Sequence, residues 1–267
     1  KGGNGEPSLA RWGTDTTHYS SDRQRSVRAI AMPNHLALAE RFAISDNFYV
    51  DADVSADGHR WLAGVYPNEW VEASVAAAYG GGRRMKLPST APGMLAFTGS
   101  SGAVYPEDYN EAGSIWDHFL RHEVSYFNFG LGFEFSPAIE TQDMKYTGIR
   151  LPINYPMPAN LRERTSRRFA TYNTAIPDQF RYQMFEEELE TRWAPGTDSL
   201  PQVLTVFLPQ DHGAGDRPDA GYPFYASYMA DNDLALGRLV EYLSNRPEWP
   251  EMAIIVTQDD AQDGRDH

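Results

Sequence analysis

An α/β fold is predicted, built on a doubly wound, mostly parallel sheet with helices on both faces. Three observations predict it. Apolar runs at 202–208 and 252–256 have the length and content of strands buried on both faces. Such runs alternate with segments of helical periodicity, the pattern of a parallel sheet with crossover helices. Each run empties into a loop rich in Asp, His or Gly, and ligands in open α/β sheets sit outside the carboxyl ends of the strands.

In chain order, residues 1–30 are polar and weakly periodic and read as loop with a short helix. From Asn34, Leu36, Ala39 and Phe42 recur at helical spacing, with Pro33 suited to the first turn. Residues 43–50, with Ile44, Phe48 and Tyr49, read as a strand. A turn-rich loop, 51–60, leads into a helix near 61–66. Gly80, Gly81 and Gly82 mark a loop followed by Arg83 and Arg84, a weak phosphate-binding signal. Ser114 caps a helix to His122 with Ile115, Phe119 and Leu120 on its apolar face. Residues 124–130 are the next strand. Residues 132–176 hold several Pro and little periodicity and read as an excursion over the sheet edge. An acidic helix follows at 179–192, then the strand at 202–208. A long helix spans 225–245, with Met229, Leu234, Leu236, Leu239, Val240 and Leu243, and the strand at 252–256 is last. No internal repeat or low-complexity tract interrupts this order, so 1–267 reads as one domain. Lys1 replaces an initiator Met, and His267 ends the chain within a loop just after a strand. The segment therefore reads as an internal piece, truncated at both ends, with an apolar sheet edge left open.

The net charge of −14 argues against nucleic-acid binding, which needs clustered Lys and Arg to neutralise phosphates. The absence of Cys removes disulfides, thiolate metal sites and Cys nucleophiles. No apolar run reaches the roughly 18 residues of a membrane span.

Three loops carry reactive groups. The first holds Ser55 and His59 among Asp51, Asp53 and Asp57. The second holds Asp211 and His212, with Gly213 and Gly215 leaving room for close approach. The third holds Asp259, Asp260, Asp263, Asp266 and His267. Parallel strands would bring all three to one sheet edge. Adjacent carboxylates repel one another unless a cation lies between them, and hard divalent metals take oxygen ligands while His suits transition metals. A solvated acidic loop is the plainer reading. A calcium loop of the EF-hand type fits poorly, since Ala261 falls at its third position. A Ser hydroxyl needs a base or metal to act as nucleophile. Ser55 lacks a Gly-x-Ser-x-Gly elbow, so metal activation is the better route, and a helix-capping Ser is the alternative. One helical turn separates Ser55 from His59, whose imidazole suits a phosphoryl oxygen or a leaving group. His35, His118 and His122 fall on helices, where a structural role is expected.

Two blocks, Pro33 to Tyr49 and Val54-Ser-Ala-Asp-Gly-His-Arg-Trp61, together with the terminal Thr257-Gln-Asp-Asp-Ala-Gln-Asp-Gly-Arg-Asp-His267, resemble the bacterial phosphoesterase family. That family unites phosphatidylcholine-type phospholipase C enzymes and an acid phosphatase within the alkaline phosphatase superfamily. Leu208-Pro-Gln-Asp-His-Gly-Ala-Gly215 and Ala230 to Arg238 are similar to the branch often fused to a β-propeller of the YncE type. The resemblance implies Ser55 as nucleophile and metal ligand, and Asp259 and Asp260 as the metal-binding pair. His59 and His212 would stabilise phosphate, His267 would add a metal ligand, and Asp211 and Asp266 are further candidates. The ion would be calcium, magnesium, manganese, iron or zinc. The substrate would be a small-molecule or lipid-head-group phosphoester, the location periplasmic or secreted, and a fused N-terminal propeller a possible neighbour. The family's Glu-Asn metal ligands have no counterpart here. Activity is thus expected of a full-length protein and not of this segment alone. Ala261-Gln262-Asp263 replaces the family's common His-Gly-Gly, a departure that leaves the substrate specificity implied by the resemblance open. A sulfatase on the same fold needs a modified Cys or Ser followed by x-Pro-x-Arg, and Ala56-Asp57-Gly58-His59 does not match. A non-catalytic metal-binding or cell-surface interaction domain is the alternative from a different class.

Overall fold

The computed structural model describes residues 12–45, 48–49, 52, 54–64, 66, 68–69, 111–131, 159–196 and 199–260. Its centre is a parallel pair of strands, β3 (Tyr126–Phe129) and β4 (Val203–Val206), in the register Tyr126↔Val203 to Phe129↔Val206. Both were expected as strands. Side chains alternate across them, as the pleat requires. Phe127, Phe129, Leu204 and Val206 face one core, built with α5 (Asp178–Arg192) and α6 (Ala226–Ser244) through Phe180, Met184, Phe185, Leu189, Leu239 and Leu243. Tyr126 and Val203 face the other, formed by Ala63 of α2 (Ser55–Gly64), Trp116 of α3 (Ile115–Arg121) and Leu161 of α4 (Ala159–Glu163). Helices thus cover both faces of a parallel pair, an α/β arrangement.

Sequence and structure agree on four helices. Ser114 accepts the Asp117 amide while the Asp117 carboxylate takes the Ser114 N–H, a complete capping box that starts α3. The helix α1 (Pro33–Arg41) starts with Pro in its first turn and no side-chain cap of its own. Asp233 of α6 supplies one instead, accepting the amides of Asn34 (3.0 Å) and His35 (2.8 Å) and the His35 Nδ1–H (2.7 Å). Burial would raise the Asp233 pKa, but the hydrogen bonds from His35 and Asn34 hold it below the ordinary value. His35 therefore has the structural role expected of it.

Other expectations are corrected. Residues 16–29 form an antiparallel hairpin, β1 (Thr16–Tyr19) and β2 (Ser26–Ala29), where a loop and short helix were expected. Its turn is closed by Ser20 and Asp22: the Arg25 amide donates to Ser20 Oγ (2.9 Å), and Ser20 Oγ to Asp22 (2.6 Å). The described residues of 43–50 are not a strand, and Ile44, Phe48 and Tyr49 are exposed. Residues 252–258 are likewise not a strand. Met252 and Ile254 pack on the core under β4, while Ile255 is 87% exposed. Both segments have strand-like composition, but a strand also needs a ladder partner, and neither has one among the described residues. Part of the expected excursion over the sheet edge, residues 159–176, is described: Thr165 pairs in parallel with Asn128 at the side of β3, and the segment then enters the core. Phe169, Ala170 and Ile176 are core, and Asn128 pairs through its backbone with Arg164 and Ser166. The remainder of that expected excursion, and Gly80 to Arg84, lie outside the described residues.

A fully buried polar knot ties the loop after β4 to α5. Asp178 accepts the Gln210 amide (3.0 Å) and Asn232 Nδ2 (3.0 Å), and pairs with Arg181 at 2.9 Å. Arg181 also donates to the carbonyls of Ala170, Thr171, Asn173 and Ile176. Asn232 reaches the Leu208 carbonyl at 2.8 Å. Among the described residues, no helix is long and apolar enough to cross a membrane.

Candidate functional site

The helix α2 begins six residues before the expected start at 61. The Val54 carbonyl accepts the amides of Asp57 and Gly58, each at 3.0 Å, and Ser55 falls in the first turn. A capping Ser accepts a backbone N–H two or three residues on. Ser55 instead donates its hydroxyl to Asp260 Oδ2 at 3.0 Å. One turn further along α2, His59 Nε2 lies 3.5 Å from Asp259 Oδ2. Two neighbouring carboxylates thus meet two side chains of one helix, at i and i+4. They do so at a helix N-terminus, where unpaired amides and the macrodipole favour negative charge.

Gly58 makes this approach possible. A Cβ there would sit 1.8 Å from the Asp259 carbonyl oxygen, so only Gly lets the terminal segment lie against α2. Asp-Gly in sequence suggests a turn, and the need for Gly here comes from a contact about 200 residues away. Gly58→Ala should destabilise by about 1–3 kcal/mol through overpacking, although Ala is the better helix former. Urea unfolding measures this. Unchanged or increased stability would show that the segment does not pack here.

His59 is 5% exposed, with its ring edge-on to Phe207 at 5.2 Å. Burial holds its pKa below the ordinary value; Asp259 opposes this and neighbouring Arg60 adds to it. The ring is therefore neutral at pH 7. An Nε2–H tautomer donates toward Asp259 and leaves Nδ1 as an acceptor, which has no hydrogen-bond partner among the described residues. Arg60 and Phe207, the immediate neighbours of His59, were not singled out from the sequence. Ser55, Asp259 and Asp260 are half-buried, within reach of solvent.

His212 is exposed in the 3₁₀ turn Pro209–His212 after β4. Its Nδ1 lies 3.1 Å from the Gly213 carbonyl, its ring is edge-on to Tyr172, and Tyr225 donates to its carbonyl at 2.7 Å. Gly213 has φ +69, and a Cβ there would meet the Tyr225 ring, so the turn requires Gly. No described contact joins His212 to the Ser55 group. Phe207 against His59 shows that this turn leaves β4 beside α2. Asp51, Asp53, Asp263, Asp266 and His267 lie outside the described residues.

The donor chemistry suits a hard divalent cation: one hydroxyl and two carboxylates, with an imidazole beside them. Among the described residues, no group of three or more His, Asp or Glu closes on one point. A concavity of about 250 Å³ lined by Ser20, Asp22, Arg25, Asp216 and Pro218 lies elsewhere and shares no residue with these pairs. No family model, curated protein or solved structure matches the chain.

Proposed function

We propose that this chain is the core of a metal-dependent phosphoester hydrolase whose nucleophile is Ser55, active in the full-length protein. The observation that carries this reading is the Ser55 hydroxyl donating to Asp260 beside a second carboxylate, Asp259, that His59 engages. The accompanying architecture is a doubly wound, mostly parallel sheet, with β3 and β4 as two of its strands and 252–258 as the segment that delivers the carboxylates.

Asp260 orients the Ser55 hydroxyl and receives its proton as the oxygen attacks phosphorus. The Ser55 Oγ–P bond forms as the bond from phosphorus to the leaving oxygen breaks, and the leaving alcohol takes its proton from solvent. Water then attacks the phosphoserine, releasing phosphate and restoring Ser55. Asp259, Asp260 and Ser55, with His267 as a further ligand, would hold a divalent ion that supplies Lewis-acid stabilisation of negative charge. His59, buried and neutral, positions Asp259; its burial disfavours the role of leaving-group acid. The loop of Asp211 and His212 follows Phe207, which packs on His59, and would offer an exposed imidazole to a phosphoryl oxygen. Substrates are small or lipid-head-group phosphoesters in the periplasm or outside the cell.

Hydrolysis of aryl phosphate mono- and diesters by the metal-supplemented full-length protein tests the reading. Asp260→Asn removes the proton acceptor as well as a ligand, so activity should fall by about 100-fold or more, with only the metal-binding part of the loss recovered in excess metal. Metal binding without turnover of any phosphoester would favour the non-catalytic alternative.

A further inference from the structure

We infer a second metal site, on the solvent face of α3, where His118 and His122 together bind a divalent transition ion. This inference is independent of the proposed reaction. The two residues are four apart, so they share one helix face. His118 lies in the last turn and His122 is the C-cap, whose amide donates to the His118 carbonyl at 3.1 Å. Both are exposed, and their ring centroids are 4.4 Å apart with planes tilted 44°. Neither ring has a hydrogen bond or ion pair with any described residue, and each ring's described contact is the other ring.

The separation is close to what a shared ion requires. Imidazole nitrogen binds zinc at about 2.0–2.1 Å, and the ring centroid lies about 1.1 Å behind that nitrogen. Each centroid then sits about 3.1–3.2 Å from the ion. Two rings subtending the tetrahedral angle of about 109° place their centroids about 5.1 Å apart, a small side-chain rotation from the observed 4.4 Å.

The turn is held in place before any ion arrives. Trp116 is 1% exposed in the core, the capping box fixes the start of α3, and Asn160 donates to Asp117 at 3.0 Å. The backbone of the turn is thus fixed, and binding has only the two imidazole side chains to order. The carboxyl-terminal end of a helix favours positive charge, and a net charge of −14 draws cations to the surface. Arg121 in the same turn is a competing charge, which selects for ions with intrinsic affinity for imidazole: copper, nickel or zinc. Two protein ligands leave positions for water, so this is an exchangeable site and not a closed structural one.

Calorimetric titration of the full-length protein with zinc chloride tests the inference, with circular dichroism confirming that the variants fold. A zinc-binding event should weaken by at least about tenfold in His118→Gln and in His122→Gln, because each loses the chelate. Asp259→Asn combined with Asp260→Asn should leave that event unchanged. Zinc affinity and stoichiometry retained when His118→Gln and His122→Gln are combined, or no event that the His substitutions remove, would overturn the site. A single zinc event that survives in the His variants and disappears in the Asp variant, with no further event lost in the His variants, would assign the ion to the Ser55 group alone. The hydrolase reading would then stand while this one falls.

Discussion

Ser55→Ala should lower phosphoester turnover in the full-length protein by about three orders of magnitude or more. The substitution removes the attacking oxygen and one oxygen donor while Asp259, Asp260 and the helix N-terminus remain. Residual activity would come from charge stabilisation and binding alone. Stability should change little, because Ser55 is half-buried and its described side-chain bond is to the half-buried Asp260. Steady-state kinetics with an aryl phosphate, alongside denaturant unfolding, separates the two effects. Near-normal turnover would leave Ser55 as a structural residue of α2 and make water the attacking group.

Arg181→Ala should destabilise the fold by about 3–5 kcal/mol, the range for removing one partner of a buried pair. Arg181 and Asp178 are both fully buried, and the guanidinium satisfies four backbone carbonyls as well as the carboxylate. The variant removes a donor from each of these five acceptors, though Asp178 keeps Gln210 and Asn232 and the Asn173 carbonyl keeps the Ile176 amide. Burial pushes the Asp178 pKa up to about 6, with Arg181 pulling it down and Asp231 adding to the rise. The folded pKa then lies above the unfolded value, so the folded state binds more protons between about pH 4 and pH 6. The contribution of Asp178 to stability therefore falls as pH rises through that window. Removing Arg181 pushes the pKa higher, so the variant should be penalised more at pH 7 than at pH 5. Unfolding at both pH values measures this. A loss below about 1 kcal/mol would show that the knot does not anchor the loop after β4.

Local rules served the helices well. Pro33, the Ser114 capping box and the apolar face of 225–245 are short-range signals, and α1, α3 and α6 formed where they pointed. Strand composition at 203–206 was also a sound guide. The same composition at 43–50 and 252–256 misled, because Ile44 and Ile255 carry no information about a hydrogen-bonding partner. The hairpin at 16–29 was missed because its strands are polar and mostly exposed, with little periodicity to read. Asp178 and Arg181 look like ordinary charges of a solvated acidic helix, and only the fold buries them.

At the site, the chemical types of Ser55, His59, Asp259 and Asp260 were legible. Their pairing, Ser55 with Asp260 and His59 with Asp259, was not, because it depends on Gly58 admitting a distant backbone. The neutral state of His59 was equally hidden, since burial decides it.

Rapid acid quenching of the full-length, metal-supplemented protein during turnover of an aryl phosphate tests the central claim most directly. Peptide mass analysis should find one phosphoryl group on Ser55, absent without substrate and absent in Ser55→Ala. Turnover with no phosphoryl group on Ser55, or with the group on another residue, would contradict it.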